Sequence, residues 1–461
     1  MWGSKPSWRT PPKKVVDQAA RPFRSGEKRS SQVRLLGGLV VFLSTLYYGT
    51  KRCTGRGRGR AGSGLFPELA VLGISNGASP ALISRIGRLA ALLPSFETVR
   101  GQLIQDGVTL NIKEVHRISK RLGEEILTTR RRDLERYRAG ELPVGTELRG
   151  KRVGVAIDGG RVRIRKLIRR QKGKGKKKTR RRKMRLEWRE VKLLIVFEMD
   201  EKGRMKRGTR PWIAGTFLGP DECMELLAMH LHRLGAVDAE LVAFLADGAP
   251  WVWERLDWVE KRVGLKADRV TRVLDCCHAV HQMSLALAGL KLSEAERKRL
   301  YGELRKKLRS GKTYDVTGEL SLLADGLPGE SEVWTHIRYL EKHAVAGRMR
   351  YGAFRRRGVP LGSGAIESAI RRVVNLRLKG NGITWYEENA EGMLAIRAAV
   401  LTRRWDETLE HVRATMALDR RVELEWKSPD MPAELKAKVE IKPPKPKPQH
   451  QENKRVAGMA A

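Results

Sequence analysis

The chain has 461 residues, of which 93 are Lys or Arg and 52 are Asp or Glu, so its formal net charge is +41. This charge would repel itself in a compact fold, so we expect a polyanionic partner, and nucleic acid is the leading candidate because neutralised phosphates release counterions. Four cysteines without Cys-x-x-Cys spacing exclude a disulfide framework and a zinc knuckle. The longest apolar run, residues 35–48, is too short to span a bilayer, so we expect no membrane contact and a cytoplasmic protein.

The amino-terminal third of the chain divides into three predicted segments. Residues 1–31 are rich in Lys, Arg, Pro and Ser, which predicts a disordered basic arm. Residues 32–64 predict a small β region, a hairpin of buried strands followed by a flexible Gly and Arg loop. Residues 65–149 are predicted to be helical, because apolar residues recur every three or four positions between Leu82 and Leu93. A DNA-binding region of the helix-turn-helix kind fits this pattern, and a purely structural bundle fits it equally well.

The pattern changes at Gly150, where short apolar segments begin to alternate with helical ones. Strands are predicted at 151–160, 191–200, 209–217, 241–247 and 269–275, and helices at 220–234 and 249–263. This order of three strands, helix, strand, helix and strand is that of the RNase H-like α/β fold. We therefore predict the first part of an RNase H-like core at 150–278, a helical insertion at 279–360, completion of the core at 361–425 and a disordered tail at 426–461.

Three acids stand where such a core could use them for chemistry. Asp158 ends the first strand and Asp247 ends a nearly all-apolar strand, and ligands of open α/β sheets bind beyond the carboxyl ends of strands. Glu367 lies in the first turn of a helix predicted at 363–379, where the helix dipole favours a carboxylate. Each acid alone is explained by a turn or a dipole, but together they predict a site for Mg²⁺ or Mn²⁺. Two such ions could activate an attacking oxygen and stabilise a leaving one at phosphorus.

A second cluster, Asp275-Cys276-Cys277-His278, closes the last strand, with His281 one turn further on. A zinc site is a poor interpretation, because adjacent cysteines do not easily face one ion and no second cysteine pair exists. Asp275 is instead expected to support the catalytic site. His278 could position a phosphate or shuttle a proton, and a satisfied core histidine is the alternative.

Residues 161–185 hold sixteen Lys or Arg among twenty-five residues and no acid. They are predicted to form a hairpin extension beside the acids. A solvated loop is the usual explanation of a charge run, but unopposed like charges favour contact with DNA. DNA-binding side chains are therefore predicted at Arg161, Arg163, Arg165, Lys166, Arg169, Arg170, Arg371, Arg372 and Trp385. Trp385 could stack on a flipped base or cap the helix that carries Glu367.

Six stretches of the chain resemble, in the same order, bacterial insertion-sequence transposases of the DDE type. The resemblance is strongest to the transposases related to the Mutator group, which carry a D-x-x-H or C-x-x-H element. The stretches are AIDGGRVRIR, WREVKLLIVFEMDEKG, FLADGAPWVWERL, DCCHAVHQM, LGSGAIESAIRRVVNLRLKGNGITW and LAIRAAVLTRRWDE. The resemblance implies that Asp158, Asp247 and Glu367 are the metal-binding triad. It also implies that Asp275 and His278 are the D-x-x-H element. Relatives tend to carry two cysteines after a Tyr-Tyr pair, and only Cys53 stands there in this chain.

The activity implied by this resemblance is metal-dependent cleavage at the ends of an insertion sequence, followed by strand transfer into target DNA. The expected cofactor is Mg²⁺ or Mn²⁺, as two ions, and no covalent enzyme intermediate is expected. The expected partner is double-stranded DNA in the nucleoid, bound by a homodimer or a larger assembly. Two alternatives remain open: a metal-dependent nuclease on the same fold, and a catalytically silent DNA-binding protein derived from a transposase.

Overall fold

The computed structural model describes residues 24–49, 66–168 and 184–419. Nearly all of these belong to one compact unit, Glu27–Tyr47 and Leu65–Arg420. The Gly and Arg loop, most of the basic run, most of the basic arm and the tail predicted at 426–461 lie outside the described residues. In the described ranges no helix is both long enough and apolar enough to cross a membrane.

The predicted amino-terminal hairpin is present, as strands β1 (Arg24–Arg34) and β2 (Val40–Gly49) in a two-stranded sheet. Its turn contains Gly37 and Gly38, whose φ angles of 85° and 86° are those that glycine adopts without strain. The first strand begins at Arg24, earlier than the sequence predicted, so residues 24–31 belong to the hairpin and not to a disordered arm. The prediction that the strands are buried is wrong at the turn and in β2, where Leu39 and Phe42 are 62% and 69% exposed.

The helical region predicted at 65–149 is confirmed as helical. Its elements are α1 (Pro67–Val71), α2 (Pro80–Leu92), α3 (Phe96–Gln105) and α4 (Ile112–Arg138). The longest, α4, begins at a capping box in which Asn111 and Glu114 each accept a hydrogen bond from the other's backbone N–H. It packs against α2, α3 and later helices of the chain.

A five-stranded mixed sheet forms the centre of the molecule, in the spatial order β5-β4-β3-β6-β7. Its strands are β3 (Arg152–Leu167), β4 (Met184–Glu198), β5 (Trp212–Thr216), β6 (Leu241–Ala246) and β7 (Val270–Leu274). Strand β4 runs antiparallel to both of its neighbours, β3 and β5, and β6 and β7 run parallel to β3. All five predicted strands are therefore confirmed, and the chain has a mixed α/β fold.

The connections between these strands are helical. After β5 comes α5 (Pro220–Leu234), which ends at Gly235 with a φ of 78°. The single helix predicted at 249–263 is instead two helices, α6 (Pro250–Trp253) and α7 (Leu256–Val263). They are separated because the Arg255 N–H bonds to the carbonyl of Val252, which tightens the chain into a turn.

The remainder of the described chain is helical, as predicted for the insertion and for the segment that carries Glu367. Its α-helices are α8 (Cys276–Ala288), α9 (Glu294–Ser310), α10 (Thr313–Leu323), α11 (Glu332–Val345), α12 (Tyr351–Arg356), α13 (Gly364–Ala369), α14 (Leu376–Leu378), α15 (Glu387–Leu401) and α16 (Trp405–Asp419). A π-helical segment, Ile370–Asn375, joins α13 to α14, so the helix predicted at 363–379 is one helix with a widened middle.

The crossing of α4 and α15 depends on two glycines in direct contact. A Cβ atom at Gly123 would lie 2.9 Å from the Cα of Gly392, too close for any side chain. We expect Gly123→Val to lower the free energy of unfolding by about 2–3 kcal/mol, because the helices must separate. Chemical denaturation measures this change.

The matched control is Gly302→Ala in α9, where an added Cβ meets nothing within 4 Å. That substitution should stabilise the protein by about 0.5–1 kcal/mol, since alanine is the better helix former. A Gly123→Val protein as stable as the wild type would contradict the close packing of α4 on α15.

Candidate active site

Two acids are brought side by side by the pairing of β3 with β6. The parallel register sets Ile157 against Ala246, so the residues that follow, Asp158 and Asp247, are neighbours on adjacent strands. As predicted, Asp247 follows the last residue of a fully buried strand. Asp158 does not end its strand, because β3 continues to Leu167. It lies instead at the point where β3 passes beyond the end of β6.

The two carboxylates have different local environments. Asp158 is half-buried, and its Oδ1 atom accepts a hydrogen bond of 2.6 Å from the N–H of Gly159. The Oδ1 atom of Asp247 accepts a hydrogen bond of 3.0 Å from the N–H of Ala249. Burial raises the pKa of Asp158 from 3.8 to about 6, and the negative charges of Asp247 and Glu367 add to this effect. The hydrogen bond from Gly159 and the charge of His278 act in the opposite direction.

Asp275 holds together the elements around this pair. Its side chain is completely buried, and its Oδ1 atom caps α8 by accepting from the N–H groups of Cys277 at 2.6 Å and His278 at 3.0 Å. Its Oδ2 atom accepts from the N–H of Ser363, in the loop before α13. The supporting role predicted for Asp275 therefore has a physical basis, since one carboxylate fixes both the start of α8 and the start of the helix that carries Glu367.

Glu367 is anchored by the same loop. The hydroxyl of Ser363 donates a hydrogen bond of 2.8 Å to the Oε1 atom of Glu367, which is otherwise exposed. The helix containing Glu367 packs on β3 at Gly160, where an added Cβ would lie 3.6 Å from Ile370. This contact places Glu367 over the side of the sheet to which Asp158 points. Its charge contributes to the raised pKa of Asp158.

The histidine of the predicted D-x-x-H element is exposed in the first turn of α8. His278 is near enough to Asp158 for their charges to interact. His281, one turn further along α8, is also exposed. No group of three His, Cys, Asp or Glu side chains among the described residues is gathered tightly enough to hold a metal ion. The structure thus brings together two acids directly and sets Glu367 and His278 around them.

Sequence reasoning missed one residue beside these acids, Tyr339 of α11. An added Cβ at Gly248, the residue after Asp247, would lie 2.0 Å from the Tyr339 hydroxyl oxygen. Burial and the charges of Asp247 and Asp275 raise the pKa of Tyr339, so its hydroxyl stays protonated and can donate a hydrogen bond. Nothing in the helical pattern of the insertion marks this tyrosine, because its neighbour is distant in sequence.

The predicted DNA-binding residues fall into three groups. Arg161, Lys166, Arg371 and Arg372 are exposed, Arg163 and Arg165 are half-buried, and Arg169 and Arg170 lie outside the described residues. Lys166 forms an ion pair with Glu187 at 2.5 Å. Side chains alternate along a strand, so Arg161, Arg163 and Arg165 point to the face of β3 opposite to Asp158. These three arginines therefore face away from the acids, and the contact with DNA predicted for them stays a prediction.

Trp385 does not present its ring to solvent, so the prediction that it stacks on a flipped base gains no support. It is only 8% exposed, and its ring contacts Phe96 with 6.5 Å between the ring centroids. The guanidinium of Arg377 stacks on the same ring at 5.0 Å. Its backbone bonds to Arg163 and Arg165, extending the edge of β3. Trp385 therefore packs in the core, and through Arg377 it contacts the end of the helix that carries Glu367, so the capping of that helix stays a prediction.

Comparison with known proteins does not extend this description. No family model matches the chain. No curated protein is similar enough to be counted as a relative. The chemistry of the site is therefore argued from its own residues.

The raised pKa of Asp158 has a consequence for stability. Between its ordinary pKa of 3.8 and its folded value of about 6, this carboxyl binds a proton more readily in the folded protein. Stability is therefore lost as the pH rises through this window and remains lower above it. In metal-free buffer at pH 7.5 we expect Asp158→Asn to raise the free energy of unfolding by about 1–2 kcal/mol, allowing for partial solvent screening. Chemical denaturation at pH 7.5 and at pH 4 measures the difference.

The gain in stability from Asp158→Asn should nearly disappear at pH 4, where the Asp158 carboxyl of the folded wild type is largely protonated. The exposed acid Asp325 provides the control, because Asp325→Asn should change stability little at either pH. A less stable Asp158→Asn protein at pH 7.5 would show that the carboxylate is favourably paired instead of repelled.

Proposed function

We propose that the protein is a DNA transposase that cleaves phosphodiester bonds at the ends of an insertion sequence and joins them to target DNA. One observation carries the proposal: Asp158 and Asp247 meet on adjacent strands of a mixed sheet, with Glu367 held over the same side. The strand order β5-β4-β3-β6-β7 and the helical insertion before Glu367 are those expected of an RNase H-like core. The resemblance of six sequence stretches to DDE transposases supports the same interpretation.

The donor set fits Mg²⁺ or Mn²⁺. Carboxylate oxygens are the ligands that these hard cations prefer, and Mg²⁺ commonly uses one or two carboxylates together with water and substrate phosphates. Burial and the negative charges of two nearby acids disfavour the ionised form of Asp158, so a cation beside it would relieve an unfavourable interaction. Asp158 and Asp247 would hold the first ion, and Glu367 would complete a second site. When bound, two ions supply activation of the attacking oxygen and stabilisation of the leaving oxygen at phosphorus.

Other residues of the chain would position these groups and the DNA. Asp275 would keep Glu367 in reach through the backbone of Ser363, and Tyr339 would fix the turn that follows Asp247. The exposed ring of His278 would hold a phosphate or move a proton at the edge of the site. Element ends would be bound by the helical region at 65–149, and two ends would be joined by a homodimer or a larger assembly in the nucleoid.

The contacts with DNA near the acids would come from the helix that carries Glu367. Arg371 and Arg372 are exposed in its π-helical segment, one turn after Glu367. Guanidinium groups donate paired hydrogen bonds to phosphate oxygens, and such contacts set the register of the protein on the duplex. The high positive charge of the whole chain would add attraction that does not depend on DNA sequence.

The decisive experiment measures Mg²⁺-dependent cleavage and joining with DNA that flanks the coding sequence, which supplies the candidate ends. We expect Asp158→Ala and Asp247→Ala each to lower the cleavage rate by about a thousandfold, because metal-assisted displacement loses its ligands. The exposed Asp325→Ala should cleave like the wild type. Millimolar Mg²⁺ should raise the melting temperature of the wild type and of Asp325→Ala, but not of the two active-site variants.

The products separate the proposed function from its alternatives. Cleavage without joining would identify a nuclease on the same fold. DNA binding with neither cleavage nor Mg²⁺ stabilisation would identify a catalytically silent protein. Wild-type activity in Asp158→Ala would show that the metal assignment is wrong.

A second prediction concerns the anchor of Glu367. Ser363→Ala removes the hydroxyl that bonds to the Glu367 carboxylate but keeps the backbone bond to Asp275. We expect the cleavage rate constant at saturating DNA to fall about tenfold, with little change in DNA affinity, because only positioning is lost. Single-turnover kinetics measure both quantities.

Ser363→Thr retains a hydroxyl and should restore most of the rate. The matched control is Ser310→Ala at the end of α9, whose hydroxyl bonds only to the carbonyl of Lys307. Equal rates for Ser363→Ala and the wild type would mean that Glu367 does not need this anchor during the reaction.

A further inference from the structure

The outer part of the β3–β4 hairpin exposes apolar side chains. Here residues 161–167 pair with residues 184–190 in an unbroken antiparallel register. The pairs include Arg163 with Trp188 and Arg165 with Leu186. Trp188 is 59% exposed and Leu186 is 55% exposed. Large exposed apolar groups that lie together indicate a binding surface.

These side chains share one face of the hairpin. Directly opposed residues of an antiparallel pair point to the same side, so the pairs Arg161–Glu190, Arg163–Trp188, Arg165–Leu186 and Leu167–Met184 form a single face. We call this set of eight residues the Trp188 face. The other face is covered, since Val162 and Ile164 are fully buried. Six residues of the Trp188 face are exposed and two, Arg163 and Arg165, are half-buried, whereas the opposite face is packed at Val162 and Ile164.

Charge on the hairpin points to the class of partner. The described residues 161–168 and 184–190 contain six Lys or Arg and two Glu. On the Trp188 face the Arg163 guanidinium lies 5.7 Å from the Trp188 ring centre, and Arg165 stacks on Tyr386 at 4.5 Å. Guanidinium groups bind phosphates, while indole and aliphatic groups pack on sugars and bases. A duplex groove presents both kinds of surface together.

A second copy of the chain fits this face less well. A symmetric contact between two hairpins would bring the same excess of positive charge together from both sides. The phosphates of DNA would instead neutralise the positive charge of the hairpin. A two-stranded β hairpin also has the dimensions that enter a groove of B-form DNA. Charge complementarity therefore favours DNA as the occupant.

We propose that the Trp188 face binds a segment of duplex DNA in its groove, apart from the segment cut at the carboxylates. The separation follows from strand geometry, because Asp158 and the buried Val162 point to one side of β3 and Arg161, Arg163 and their partners point to the other. Trp188 makes the apolar contact with sugars and base edges, and Arg161 contacts the backbone. This inference rests on the proposed function, in which one assembly holds more than one DNA segment.

The experiment measures the affinity of the full chain for a labelled duplex over a series of salt concentrations. Trp188→Ala should weaken binding about tenfold without changing the salt slope, since the indole neutralises no phosphate. Arg161→Gln should reduce the slope by about one. The control is Trp258→Ala in α7, another exposed tryptophan at 46%, which should bind like the wild type.

If the Trp188 face and the carboxylates bind separate DNA segments, substitutions at the two places should affect DNA affinity independently. The loss caused by Trp188→Ala should be equally large in wild-type and Asp158→Ala backgrounds in the presence of Mg²⁺, because distant sites act additively. Unequal losses of DNA affinity in the two backgrounds would mean that both sites bind the same DNA segment, and would overturn the proposal. It would also be overturned if Trp188→Ala bound duplex like the wild type, or if it dissociated an oligomer in the absence of DNA.

Failure of the Trp188 face as a DNA-binding surface and failure of the proposed transposase function give different results. If the wild type binds and cleaves DNA while Trp188→Ala binds equally well, only the Trp188 face is rejected. If the wild type neither binds nor cleaves DNA, the proposed function fails, and the inference fails with it.

Discussion

The parallel pairing of β3 with β6 is the constraint on which the candidate site depends. It fixes Ile157 against Ala246 and thereby sets two carboxylates on adjacent strands. The two chain segments are far apart in sequence, so the loop-closure cost of bringing them together is met by burial of both strands in the sheet core. Every residue of β6 is buried, and so are the residues of β3 from Val153 to Ile157. The repulsion between the acids is tolerated because this core holds the register.

Asp275 and Asp158 have contrasting environments in this molecule. Asp275 is completely buried but accepts three backbone N–H groups, so its charge is satisfied and it serves as a structural link. Asp158 accepts one N–H, and burial together with the charges of two other acids raises its pKa. An acid whose charge is unfavourable in the free protein is the one that gains most from a cation. Asp275 is therefore the linking acid, and Asp158 is the candidate ligand.

Much of the fold is predictable from sequence because its strands are apolar runs and its helices are amphipathic. The five strands and the positions of Asp158 and Asp247 followed from that pattern alone. Glu367 could be distinguished from other acids at helix starts only through the family resemblance. The burial of Trp385 and the position of Tyr339 depend on contacts between residues distant in sequence, which no local pattern encodes. The division of the helix at Arg255 depends on one local hydrogen bond. The continuation of β3 to Leu167 agrees with the hairpin extension predicted from the basic run.

The continuation of β3 to Leu167 gives the strand two faces of different character. In the region 161–167, Arg161 and Leu167 are exposed and Arg163 and Arg165 are half-buried, while Val162 and Ile164 between them are buried. A shift of one residue in the pairing with β4 would exchange these faces, exposing Ile164 and burying arginines without partners. Burial of Val162 and Ile164 therefore opposes such a shift, and Ile370 packs beside them at Gly160, where an added Cβ would lie at an ordinary contact distance of 3.6 Å. Because that packing belongs to the helix of Glu367, the third acid lies on the buried side of β3 and the Trp188 face lies on the other side.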